Sequence, residues 1–176
     1  MGESSDKVSW LGLGGSRIDS VIERLQVLLS RQSCPHVIII HIGTNDILQA
    51  KRPKIERYVG EIFNFIRNRL PSCQIIWSGI LPRLFWEGER NPGAGEKVRK
   101  QVNVHALKVC KEVIGDNRVI FHDQLQITGR DRSLYREKDG VHLEKKGLEV
   151  FRRNLRQALQ FFRVHSKGEA PAYPPK

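Results

Sequence analysis

Apolar positions recur along this chain in two alternating rhythms. The β-branched run Val37-Ile38-Ile39-Ile40-His41-Ile42 and the run Gln74 to Ile80 are short and bounded by turn residues. They predict strands buried on both faces, as in a parallel sheet. Between them, Ile55, Val59, Ile62, Phe63, Ile66 and Leu70 return at helical spacing and predict a helix from about Lys54 to Leu70, ended by Pro71. Ile22, Leu25, Val27, Leu28 and Leu29 predict an earlier helix, capped at Asp19 or Ser20 and running to about Arg31. A third helix covers about Glu96 to Ile114 with Gly115 as its stop. A fourth covers about Glu144 to Phe162, with Leu148, Val150, Phe151, Leu155, Leu159 and Phe162 apolar.

Val8 to Leu11 and Arg118 to His122 are the remaining strand candidates. Phe85 to Gly95 reads as a mobile loop and Asp123 to Lys138 as an irregular charged segment. Strand alternating with helix throughout predicts an α/β fold with helices on both faces of a parallel sheet. The length suits one domain, residues 1–163, followed by a disordered tail, 164–176, that carries Pro171, Pro174 and Pro175.

A parallel sheet places its chemistry outside the carboxyl ends of its strands. Three stretches at that rim carry suggestive residues: Gly14-Gly15-Ser16, Gly43-Thr44-Asn45-Asp46 and Asp139-Gly140-Val141-His142. The Gly15 N–H and the Asn45 amide suit an oxyanion hole, since both can donate toward a developing negative charge. His142 suits a general base, oriented by Asp139 three residues earlier. The plainer alternative makes Asn45 and Asp46 an Asx turn that caps the next helix, the glycine pair a tight turn, and Asp139 a cap beside a surface histidine. An acyl-transfer site built from these parts lacks only its nucleophile.

Charge and cysteines narrow the picture further. Thirty Lys and Arg against nineteen Asp and Glu give a net charge of +11, which favours anionic partners such as nucleic acid or an acidic membrane surface. The basic residues are scattered along predicted helices, as in Arg67, Arg69, Lys97, Arg99, Lys100, Arg152, Arg153 and Arg156, which reads as a solvated surface rather than a basic arm. Cys34, Cys73 and Cys110 match no zinc or redox spacing and read as reduced core thiols of an intracellular, cytoplasmic protein. The polar, acidic start does not read as a signal peptide, and no apolar run is long enough to span a membrane. Met1-Gly2 fails as a myristoylation signal because Asp6 stands where Ser or Thr is required.

The ordered set of rim residues resembles the SGNH hydrolases, also called the GDSL esterase/lipase family. Gly43-Thr44-Asn45-Asp46 is similar to that family's Gly-x-Asn-Asp block, Asp139-Gly140-Val141-His142 to its Asp-x-x-His block, and Gly15 to the glycine of its second block. Gly79-Ile80-Leu81-Pro82-Arg83 and Lys100-Gln101-Val102-Asn103 are similar to the platelet-activating-factor acetylhydrolase branch. The chain also resembles esterase-like domains of vertebrate retrotransposon-derived proteins. The resemblance covers roughly Val8 to Phe162. It implies a three-layer α/β/α, flavodoxin-like fold and a serine esterase acting on a small, short-acyl carboxylic ester without metal or organic cofactor. Asp139 would orient His142, and Gly15 and Asn45 would hold the oxyanion.

One block departs from the pattern. The family's Gly-Asp-Ser block lies a strand–helix unit before its second block, whereas here fourteen residues precede Gly15. Two local serines stand as substitutes: Ser16, at a strand-to-helix turn, and Ser4 in Gly2-Glu3-Ser4, which has no strand before it. The missing unit would carry the strand that lies between the family's second and third, so the sheet is expected to lack its first strand. The chain then reads as an N-terminally truncated form of an esterase, poorly stable alone because buried strand edges lose their ladder partner. The alternative is a catalytically inactive SGNH-like binding domain, associated with nucleic acid through its charge.

Overall fold

A computed structural model describes residues 8–31, 33–164 and 173–174. Helices α1 (Val21–Arg31), α2 (Arg52–Arg69), α3 (Ala94–Ile114) and α4 (Lys145–Val164) alternate with strands β1 (Val37–Ile40), β2 (Gln74–Ser78) and β3 (Val119–Ile120). The strands are parallel, in the order β1-β2-β3, with Ile39 opposite Ile76 and Trp77 opposite Val119.

Successive strand side chains point to opposite faces, so β2 feeds two cores. Ile75 and Trp77 pack with Ile55, Val59, Ile62, Phe63 and Ile66 of α2 and with Val102, Ala106, Val109 and Cys110 of α3. Ile76 and Ile120 pack on the other face with Leu155, Ala158 and Phe162 of α4. The result is the expected helix–sheet–helix layering. The five fully buried side chains of α2 contribute on the order of 10 kcal/mol of gross transfer free energy, which makes α2 the main anchor of its layer. Pro53 opens α2 where a missing N–H costs nothing. Gly115 ends α3 at φ 77, its N–H bonded to the Lys111 carbonyl at 3.0 Å. A third cluster, Ile127, Leu134, Tyr135, Leu143 and Val150 with Leu81 and Leu84, lies under the carboxyl-end loops and fixes them to the sheet.

Several expectations need correction. Val8 to Leu11 forms no strand: Val8 and Trp10 are 66% and 75% exposed, and no ladder partner among the described residues reaches them. β1 ends at Ile40 rather than Ile42, and Val37 to Ile39 are half-buried rather than enclosed. The cause is its place at the sheet edge, with β2 on one side and no strand on the other among the described residues. α1 consequently buries none of its residues fully and only leans Val21, Ile22, Leu25 and Leu29 on the core. Cys34 is exposed, whereas burial pushes the Cys73 thiol up to about 11 and the Cys110 thiol up to about 12. Arg99, grouped above with surface charge, is 1% exposed. In the tail, Tyr173 pairs with the edge of β3, donating its N–H to Val119 and accepting from Phe121.

Candidate functional site

His142 and Asp139 lie on a tight turn that precedes α4 by three residues. An antiparallel bridge between Tyr135 and Leu143 closes the turn, with Arg136 N–H donating to the His142 carbonyl at 2.8 Å. Asp139 Oδ1 accepts the N–H groups of Val141 and His142, both at 2.8 Å, and Oδ2 lies 3.0 Å from His142 Nδ1. Those donors, the His142 N–H first, hold the Asp139 carboxyl down at about 2. An ionised Oδ2 is acceptor only, so Nδ1 is the nitrogen that carries a proton in this pair and Nε2 is the one turned to solvent. Nε2 has no protein partner among the described residues, and the His142 side chain is 68% exposed. This geometry suits a base held by its orienter.

The other two rim loops meet each other. Gly43 turns the chain out of β1 at φ 103 with the Ile80 side chain 2.9 Å from where a Cβ would stand, so only glycine fits. Asn45 Nδ2 then donates to the Ser16 carbonyl at 3.1 Å, which leaves the second amide hydrogen free. The Gly15 N–H, in a turn at φ 70, has no acceptor among the described residues. Asp46 does not cap the helix that follows it. Its Oδ2 accepts the N–H of Ile18 at 3.0 Å, 28 residues back, and pins the start of the α1 segment to the β1 loop. Burial raises the Asp46 carboxyl above its usual range, and the Ile18 N–H opposes that shift.

Ser16 is beside this loop, its carbonyl accepting from Asn45. Its hydroxyl donates to the Leu13 carbonyl at 2.8 Å, and it makes no hydrogen bond with His142. Ser4 lies outside the described residues. No group of three His, Cys, Asp or Glu side chains among the described residues could hold a metal ion, and none of their helices is long and apolar enough to cross a membrane.

Arg83 joins the two halves of the rim and had no assigned role in the sequence. Its Nε donates to Thr44 Oγ1 at 3.1 Å and its Nη2 to Asn45 Oδ1 at 3.4 Å, while its guanidinium stacks on Trp86 within the field of Asp139. Holding Oδ1 fixes which way the Asn45 amide faces. The Gly140 carbonyl accepts from Leu84 N–H at 3.0 Å, and Tyr135 Oη donates to the Pro82 carbonyl at 2.9 Å, so the Arg83 loop and the His142 turn form one unit. The position of Arg83 at the carboxyl end of a buried strand was the available signal. Beneath the rim, His122 Nε2 lies 2.8 Å from Ser78 Oγ, which also contacts His41 Nδ1 at 3.1 Å. This pair is enclosed: Ser78 is 0% and His122 2% exposed.

Solved structures share the fold. A protein from Streptococcus pneumonia, described as a candidate platelet activating factor, superposes with TM-score 0.68 at 22% identity, over 89% of this chain and 74% of that one. A psychrotrophic esterase from Pseudoalteromonas sp., captured with monoethylphosphonate, gives TM-score 0.65 at 16% identity, over 85% and 74%. An acetylxylan esterase from Geobacillus stearothermophilus, as a catalytic mutant, gives TM-score 0.61 at 15% identity, over 82% and 68%. No curated protein sequence matches the chain. The profile of the GDSL-like lipase/acylhydrolase family matches residues 2–150, and the chain belongs to that family.

Proposed function

We propose that the rim hydrolyses a small carboxylic ester, a short acyl ester such as an acetyl ester, by a Ser-His-Asp mechanism. The observation that carries the reading is the Asp139–His142 pair, with Nδ1 tied to an ionised carboxylate and Nε2 open to a substrate. A serine hydroxyl attacks the ester carbonyl as His142 Nε2 takes its proton. The carbonyl oxygen becomes an oxyanion facing the Gly15 N–H and the free Asn45 amide hydrogen. His142 returns the proton to the departing alkoxide, and water then releases the acid by the same route in reverse. Arg83 keeps the Asn45 amide aimed. The acetylxylan esterase among the structural relatives supports an acetyl group.

Ser16 is the nucleophile candidate among the described residues, and its hydroxyl must leave the Leu13 carbonyl to serve. That bond favours a second reading, in which the domain binds without turnover. Fluorophosphonate labelling of the purified chain, read by intact mass and peptide mapping, separates the two. A single adduct on Ser16 or Ser4, lost in His142→Ala together with hydrolysis of an aryl acetate, is the expected result. Labelling indifferent to His142, or none, would leave the binding-domain reading.

A further inference from the structure

The charge on this chain is not spread evenly once the helices are in place. α4 carries six basic residues, Lys145, Lys146, Arg152, Arg153, Arg156 and Arg163, against the one acid Glu149. All six are exposed. At about 100° per residue, Lys145, Arg152, Arg156 and Arg163 fall within roughly 40° of arc and run about 27 Å along the axis. The residues that α4 buries, Gly147, Val150, Asn154, Leu155, Ala158 and Phe162, lie on the opposite side against the sheet. Lys145, Arg152 and Arg156 take part in no ion pair among the described residues, whereas some exposed cations of α2 and α3 are matched in place, as in Arg57–Glu61, Lys100–Glu96 and Lys108–Glu112.

We propose that the outer face of α4 is a docking surface for the sugar–phosphate backbone of a nucleic acid. A cationic stripe that carries one acid, Glu149, against four cations fits a polyanion whose phosphates recur every 3.4 Å or so along each strand of a duplex. No exposed aromatic ring lies on the stripe: Phe151 and Phe161 are half-buried and Phe162 is buried. Base stacking is therefore not part of the recognition, which reads backbone rather than sequence. A membrane surface fits less well. A helix lying in lipid headgroups needs a free apolar face, and that of α4 is already packed on the sheet, with only Leu148 and Val164 exposed at its flanks.

The test is fluorescence anisotropy of a labelled duplex DNA of about twenty base pairs, titrated with the full chain over a range of salt. Four phosphate contacts give a log–log salt slope of about −4. The triple variant Lys145→Gln, Arg152→Gln, Arg156→Gln should flatten the slope by about 3 and weaken binding more than tenfold near 0.1 M salt. A control triple, Arg57→Gln, Lys100→Gln, Lys108→Gln, removes the same charge elsewhere and should change affinity less than about threefold. All six positions are exposed, and circular dichroism checks that both variants fold. Equal weakening by the two triples would overturn the proposal in favour of diffuse charge. So would a strong preference between duplexes of unrelated sequence. So would absence of duplex binding with sedimentation on phosphatidylcholine–phosphatidylserine vesicles, which would assign the stripe to a membrane.

Discussion

Replacing Arg99 by Met tests whether the rim depends on a buried charge. Arg99 Nη1 donates to the Ile80 carbonyl at 2.8 Å, Nε and Nη2 clamp the two Glu96 oxygens at 2.7 Å, and Nη2 also reaches Asp123 Oδ2 at 2.6 Å. Met conserves much of the volume and the packing. The Ile80 carbonyl keeps the Asn103 amide as a second donor, 3.1 Å away, and Glu96, a third exposed, can turn to water. Asp123 cannot: its side chain is 20% exposed and its Oδ1 is already without a partner among the described residues. The loss is therefore mainly one stranded carboxylate, about 3 kcal/mol, the lower end for breaking a buried pair. For a chain of this size that lowers Tm by roughly 6–12 °C. Thermal and urea unfolding measure it, and adding Asp123→Asn to Arg99→Met should restore at least about 1 kcal/mol by removing the stranded charge. A loss below about 1 kcal/mol, or no recovery in the double variant, would refute the reasoning and class the pair with surface salt bridges.

Other expectations follow from single contacts. His122 is held down at about 3 by burial, then by the charges of His41 and Arg99. A folded value below the unfolded 6.5 means that its stability contribution is complete above 6.5 and is lost as pH falls toward 3, on the order of 4 kcal/mol in all. Urea midpoints between neutral and acid pH should show that slope, and His122→Asn should flatten it. Asp46→Ala leaves the buried Ile18 N–H without an acceptor and should cost about 1–3 kcal/mol, with faster hydrogen exchange at Ile18 than in α2. Gly147→Ala would set a methyl 2.2 Å from the Leu134 carbonyl oxygen. Since backbone must then move, a loss of at least about 2 kcal/mol in chemical unfolding is expected, whereas Gly60→Ala, with open space around it, should be neutral or stabilising.

The four helices and the strands β1 and β2 were legible because each repeats its pattern over several residues: Ile55 to Ile66 can bury one face only as a helix, and Ile75-Ile76-Trp77 only as a two-sided strand. The placing of Asn45 and of the Asp139–His142 turn on carboxyl-end loops was legible from the order of alternating elements, whereas Gly15 comes beside Asn45 without the strand expected before it, through the Asn45 bond to the Ser16 carbonyl. Asp139 and His142 are three residues apart, so local backbone geometry alone brings Oδ2 to Nδ1. What a residue does at long range was not legible. Val8 to Leu11 has the composition of a strand, but a strand exists only with a ladder partner, and the described residues offer it none. Asp46 has the look of a local cap and instead bonds 28 residues back. Arg83 became the tie between Asn45 and the Asp139 turn only when two loops met.

Charge divides the same way. The sequence by itself determined how much there is, a net +11, and which positions on each helix turn outward. Tertiary structure decided what each charge faces. It drew Arg99 into the core because Asp123 and the Ile80 carbonyl converge there, it matched Arg57, Lys100 and Lys108 with acids one helical turn away, and it left Lys145, Arg152 and Arg156 in line on α4 in no ion pair among the described residues. Periodicity is a property of neighbours along the chain and can be read from it. Partnership depends on which distant backbone arrives, and only the folded packing supplies that.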